Sequence, residues 1–280
     1  MYWAQFLEYV WYFAQIVLYS LGGLVLCGLI VSGCLHLFCH LMGGGIGYGV
    51  VVATSILGTP VHELGHAIMC LIFGHSVEKI VLWRPEGLKD GTMGYVTHGY
   101  NTKNLYHQFG NLFIGVAPIF SGMAVLTLAL HFCFPQTIQK YFSATELLVK
   151  QGDAGLSLIL EGLKMVPNLI LEFKSDAVPV WVRILGLLVM LSVSLHINLS
   201  VADIRGAALA IPMYLVLVLL VTIVTALIGA SAMEATVHVL KLYSSFMTSL
   251  FVIVLVFALV QVAIGFIVWL IRTLITKNAS

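Results

Sequence analysis

Residues 59–70 read TPVHELGHAIMC. Two imidazoles and a carboxylate stand here inside an apolar run, so each needs a partner or a chemical task. The surroundings make the demand stronger. Of the 280 residues, 60% are hydrophobic and 9% charged, and the mean hydropathy is +1.04. A soluble domain carries roughly 25% charged residues. A chain this oily cannot cover itself with a water-soluble surface, and reads as an integral membrane protein. The formal charge of +1 offers no electrostatic footprint for nucleic acid.

Working outward, segments near the ~20 residues needed to cross a bilayer occur within 7–40, 48–74, 109–134, 179–200, 207–230 and 246–272. The expected fold is an all-α polytopic membrane protein of about six transmembrane helices. The motif lies on the second. The first segment exceeds one span, and its Trp- and Tyr-rich start suits an interface. Gly43, Gly44 and Gly45 mark the first turn. The short link between the fourth and fifth segments predicts antiparallel neighbours. Met1 to Gln5 holds no Lys or Arg, and the apolar run after it is too long for a signal h-region. The first segment is therefore expected to be retained. Cys27, Cys34, Cys39, Cys70 and Cys133 all fall in apolar stretches, where they read as small packing residues rather than a disulfide framework.

Two polar connections interrupt the pattern. Residues 76–100, SVEKIVLWRPEGLKDGTMGYVTHGY, alternate apolar runs with Pro-Glu-Gly and Lys-Asp-Gly, which predicts a β-hairpin over about 77–97. Strand backbone at membrane depth must be paired or buried in protein, so the hairpin belongs at the rim or on a cavity wall. Residues 135–178 mix Lys and acidic residues with spaced Leu, Ile and Val. They predict one or two amphipathic helices, with Ser143 and Glu146 as a capping box and Asp153 as a second cap. The organisation expected is an N-terminal transmembrane segment (1–47), a central core (48–207) and a C-terminal transmembrane pair (208–280). Placing both termini in the cytoplasm puts Lys79, Arg84, Lys89, Lys103, Arg205, Arg272 and Lys277 inside. Lys140, Lys150, Lys164, Lys174 and Lys241 then fall outside, with Arg183 near the outer boundary. That slight bias favours cytoplasmic termini.

His62, Glu63 and His66 form H-E-x-x-H. On a helix, positions i and i+4 share a face, so both imidazoles can converge on one metal ion; the alternative is two histidines that hydrogen-bond neighbouring helices. Zinc brings the pKa of a bound water towards 7, and the carboxylate of Glu63 takes the proton as attack on a carbonyl begins. Gly65 leaves room for substrate or another helix. A third protein ligand is needed, and the position six beyond His66 is Ile72. Within SLHINLSVADIRGA (194–207), Asp203 at the end of the fourth segment is the leading candidate. Asn198 and Ser200 are placed to orient a ligand or hold substrate backbone. His196, two turns before Asp203, is the alternative ligand or a supporting group. His75, His98 and His107 lie near polar loops and His36, His40, His131 and His238 near helix ends, where ordinary roles suffice. Asn101, Asn104 and Asn111 read as loop terminators more readily than as substrate contacts.

Taken together these residues resemble the site-2 protease family of intramembrane zinc metalloproteases. HELGH at 62–66 with its continuation AIMCLIFGHSVEKIVLWRP resembles that family's zinc helix, glycine and hairpin. GVAPIFSG (115–122) is similar to its Ala-Gly-Pro-x-x-Asn stretch, and NLSVADIRG (198–206) to its aspartate-bearing element. Ala117 stands where the family has Gly, Ser121 or Gly122 where it has Asn, and Ile204-Arg205 separates the aspartate from its glycine. The resemblance covers about 50–207 and no PDZ-like stretch is present. It implies a bacterial plasma membrane and hydrolysis of a peptide bond in or beside a transmembrane segment, presented by β-addition to the hairpin. Two other classes compete: a zinc-containing membrane scaffold or chaperone, which needs no base beside its ligands, and a metal or solute transporter, which needs no Glu at this spacing.

Overall fold

The computed structural model describes residues 2–85, 91–152 and 156–278. Helix α1 (Tyr2–Val17) runs through a π-helical turn (Leu18–Gly22) into α2 (Gly23–Met42). Gly43 then adopts φ 78°, a left-handed conformation suited to glycine, and reverses the chain into α3 (Gly44–Ile72). Strands β1 (Ser76–Val81) and β2 (Tyr95–Gly99) follow, then α4 (Leu105–Cys133), α5 (Pro135–Lys150), α6 (Leu156–Leu163), α7 (Met165–Glu172), α8 (Val180–Ser194), α9 (Val201–Ile228) and α10 (Ala230–Asn278). Among the described residues, five helices are long and apolar enough to cross a membrane: Gln5–Met42, Gly44–Ile72, Leu105–Cys133, Val201–Ile228 and Ala230–Lys277. The fourth predicted segment forms only the shorter Val180–Ser194.

On α9 the physical reason for a membrane setting is plain. Ala210, Tyr214, Val218 and Thr222, spaced by four, are buried, whereas Leu209, Val216, Leu220, Ile223 and Leu227 are exposed. A soluble protein does not display such a stripe to water; lipid covers it. The main core joins α2 (Leu24, Val31), α4 (Ile119, Met123, Leu126), α8 (Met190, Val193) and the middle of α10 (Ile253, Val254). The core boundary expected at 207 falls inside α9. Polar contacts cross between helices as well: Tyr12 Oη lies 2.8 Å from Thr225 Oγ1, and Arg272 Nη1 donates to the Met42 carbonyl at 2.7 Å.

The hairpin forms as an antiparallel pair with Val77 opposite His98 and Val81 opposite Tyr95, and its register shifts between Val77 and Lys79. Arg84 N–H donates to the Met93 carbonyl at 2.9 Å, prolonging the pairing; of the two turn signals, residues 86–90 lie outside the described residues. Trp83 Nε1 donates to Ser55 Oγ at 2.9 Å and anchors the hairpin along α3.

Three expectations fail. Ser143 lies inside α5, whose start is set by Pro135 at its first turn and by Glu172 of α7, which accepts from Gln136 N (3.0 Å) and Thr137 N (2.8 Å). A partner helix thus supplies the cap that local sequence was expected to give, and Asp153 lies outside the described residues. The short α8–α9 link does not make those helices close neighbours. α8 packs chiefly on α3 and α4, and α9 chiefly on α4, because residues 195–200 leave the helix and cross the bundle. Asp203, expected at the end of the fourth segment, instead opens α9.

Candidate metal centre

α3 presents His62 and His66 one turn apart, with ring centroids 4.9 Å apart. Each ring is fixed through its other nitrogen. His62 Nδ1 is 2.8 Å from the His196 carbonyl, and His66 Nδ1 is 2.7 Å from the Ile114 carbonyl. A carbonyl only accepts, so both Nδ1 atoms carry hydrogen and both Nε2 atoms present lone pairs. Those lone pairs face each other at 3.2 Å.

Pro118 explains why Ile114 has a carbonyl to give. Proline has no N–H, so the i→i−4 bond that would satisfy Ile114 in α4 cannot form, and the imidazole takes its place. The His196 carbonyl lies beyond the end of α8, likewise outside a helical ladder.

The third group arrives from α9. Ser200 is its N-cap: Ser200 Oγ accepts from Asp203 N (3.1 Å) while Asp203 Oδ2 accepts from Ser200 N (2.7 Å), a reciprocal capping box. The carboxylate so held lies 3.2 Å from His66 Nε2 and 3.6 Å from His62 Nε2. Ligand atoms on a tetrahedral ion with bonds of about 2.0–2.1 Å lie roughly 3.3 Å apart. Two imidazole lone pairs and a carboxylate at these separations are a donor set that fits one divalent cation.

Glycines allow the three helices to meet. A Cβ on Gly65 would stand 2.6 Å from Ser121 Oγ and 3.1 Å from the Ala117 carbonyl, so the room it leaves is taken by α4. A Cβ on Gly115 would stand 2.5 Å from the Asp203 carbonyl. Gly58 accepts the ring of His196, whose Nδ1 lies 2.9 Å from the Ser192 carbonyl. The His196 ring packs on Gly58 and does not join the group of convergent ligand atoms; its contribution is the carbonyl that orients His62.

His62, Glu63, His66 and Asp203 line one cavity of about 810 Å³ together with Thr59, Asn111, Asn198, Ser200 and the hairpin residues Gly94, Tyr95, Val96 and His98. Glu63 is 6% exposed, and Gly94 passes so close that a Cβ there would stand 2.9 Å from its Cγ. Asn198 and Ser200 thus stand beside the cluster, Ser200 orienting Asp203. Asn101 and Asn104 do close the loop, accepting from Lys103 N and Tyr106 N at 2.9 Å. Asn111 differs: it is buried within α4 and faces the cavity. Thr59, one turn before Glu63, is also buried there, and its Oγ1 has no hydrogen-bond partner among the described residues. The role of loop terminator expected for Asn111 thus fails, because it sits inside α4, and sequence reading missed Thr59, although it shares the i, i+4 face of Glu63. On the hairpin wall, burial first and the neighbouring His75 next hold the His98 imidazole below its ordinary pKa.

Comparison with protein-family models, with curated proteins and with solved structures returned no match. The geometry of the cavity is accordingly the ground for a functional reading.

Proposed function

We propose that this chain is an intramembrane zinc metalloprotease that hydrolyses a peptide bond in or near a transmembrane segment of a membrane-protein substrate. One observation carries the reading: two imidazoles whose Nδ1–H groups are committed to carbonyls turn their Nε2 lone pairs to one point with Asp203, in a cavity that also holds Glu63. A zinc ion held by His62, His66 and Asp203 would supply Lewis acidity, acidifying water and drawing charge from the scissile carbonyl. Glu63 takes the proton of the attacking water. As the water oxygen bonds to the carbonyl carbon and the C–N bond breaks, Glu63 passes that proton to the leaving nitrogen. A substrate helix hides its carbonyls in i→i−4 bonds and must unwind first. The hairpin on the cavity wall favours an extended stretch held by β-addition, and Asn111, Asn198 and Thr59 offer it polar contacts.

The test combines metal analysis with cleavage. Full-length wild type, Glu63→Gln and Asp203→Ala are purified for zinc content, and the fragments of membrane proteins released in cells expressing each are compared by mass spectrometry. Glu63→Gln should retain its zinc and lose activity by about 10²–10⁴-fold, while Asp203→Ala should lose the metal. Undiminished cleavage in Glu63→Gln would overturn the mechanism. Zinc-loaded wild type that binds transmembrane segments and never cuts them would make the chain a scaffold.

A further inference from the structure

α3 ends in a complete Schellman turn. Gly74 adopts φ 71°, its N–H donates to the Leu71 carbonyl at 3.2 Å, and the His75 N–H donates to the Cys70 carbonyl at 2.8 Å. The motif folds the residue after the glycine back against the one five earlier, a place usually filled by two apolar side chains. Here it holds a thiol and an imidazole. Strand pairing then delivers a second imidazole: His98 stands opposite Val77, with its Nδ1 3.0 Å from His75 Nδ1. His75 Nε2 donates to the His107 carbonyl at 2.8 Å, so its Nδ1 presents a lone pair. One ligand atom from each of Cys70, His75 and His98 lies within 4.8 Å of the others. Cys70 is 0% and His75 4% exposed.

We propose that Cys70, His75 and His98 form a second metal site that fastens the end of α3 to strand β2. It shares no residue with the His62, His66, Asp203 group and stands whether or not that group is catalytic. Its donors name the ion. Thiolate with imidazole selects zinc or a similarly soft divalent ion over magnesium or calcium, and binding releases the Cys70 thiol proton to solvent. Orientation is already built in, because His75 donates its second ring N–H to a backbone carbonyl, the usual support of a ligating histidine. His107 is turned to other use: its Nδ1 accepts from Asn101 N at 3.3 Å, which puts its own proton on Nε2. Since Tyr95, Val96 and His98 line the cavity, an ion here would set where that wall stands over Glu63.

Sulfur distinguishes the two sites. Full-length protein in detergent, stripped of metal and titrated with cobalt(II), should show a near-ultraviolet thiolate-to-cobalt charge-transfer band. Cys70→Ser should abolish that band. His98→Gln, at a half-buried position, should abolish it at equimolar cobalt without touching the core. A His62→Ala/His66→Ala double variant should keep the band, which separates failure of this site from failure of the catalytic reading. Wild type lacking the band, or a band that survives in Cys70→Ser, overturns the proposal.

Discussion

The residue whose role is least visible in its own chemistry is Pro118. It touches the cluster only by withholding an N–H from Ile114, whose carbonyl then fixes His66. Pro118→Ala restores the helical donor, which competes with the His66 Nδ1–H for one oxygen. Metal affinity should fall about 10–100-fold, as for loss of other groups that orient a ligand. Competition titration with a zinc chelator measures it, and an unchanged affinity would show that His66 needs no such support. The same residue-scale logic applies to Ser200, whose reciprocal bonds hold the Asp203 carboxylate at the helix start. Capping and ligation are compatible there because a carboxylate has lone pairs enough for both.

Between elements, the meeting of α4 and α9 decides whether Asp203 reaches the histidines. Gly115 is the contact: a side chain there meets the Asp203 carbonyl and Ala207. Gly115→Val should destabilise the protein by about 1–3 kcal/mol through overpacking and weaken metal retention with it. Gly206, with nothing within 4 Å of an added Cβ, serves as the comparison. Gly206→Ala should leave thermal stability unchanged or raised by up to ~1 kcal/mol. Equal melting of the two variants would mean that α9 is not seated by this contact. α5 teaches a related lesson, since its N-terminal amides are satisfied by Glu172 from α7 rather than by the serine that local spacing selected. Side chains distant in sequence can cap a helix whenever packing brings them there.

For the whole molecule the length of α8 bears on topology. α8, at 15 residues, is about 22 Å long, short of the ~30 Å hydrocarbon layer, while the other apolar helices are long enough to cross it. We expect α8 with its flanks to complete a sixth crossing and both termini to face the cytoplasm. Reporter enzymes fused at either end, each active on one side of the membrane only, give the answer. Opposite-side signals would mean that α8 stays within one leaflet and that five crossings are made. Either way the lipid-facing leucines of α9 and the shared core of α2, α4, α8 and α10 hold the cavity in one bundle.

Composition and periodicity by themselves determined a helical membrane protein, the hairpin and the face shared by His62 and His66. Each of these follows from local spacing and from the cost of polar groups in lipid. Asp203 is legible as a candidate ligand because it follows the fourth apolar segment, where a carboxylate can point back at the histidines. Only the tertiary structure decided that the carbonyls of His196 and Ile114 orient the ligands, that Asn111 and Thr59 face the cavity, and that Cys70 meets His75 and His98. Backbone carbonyls carry no sequence signature, and a small or apolar-looking residue declares a role only when a distant helix or strand is packed against it.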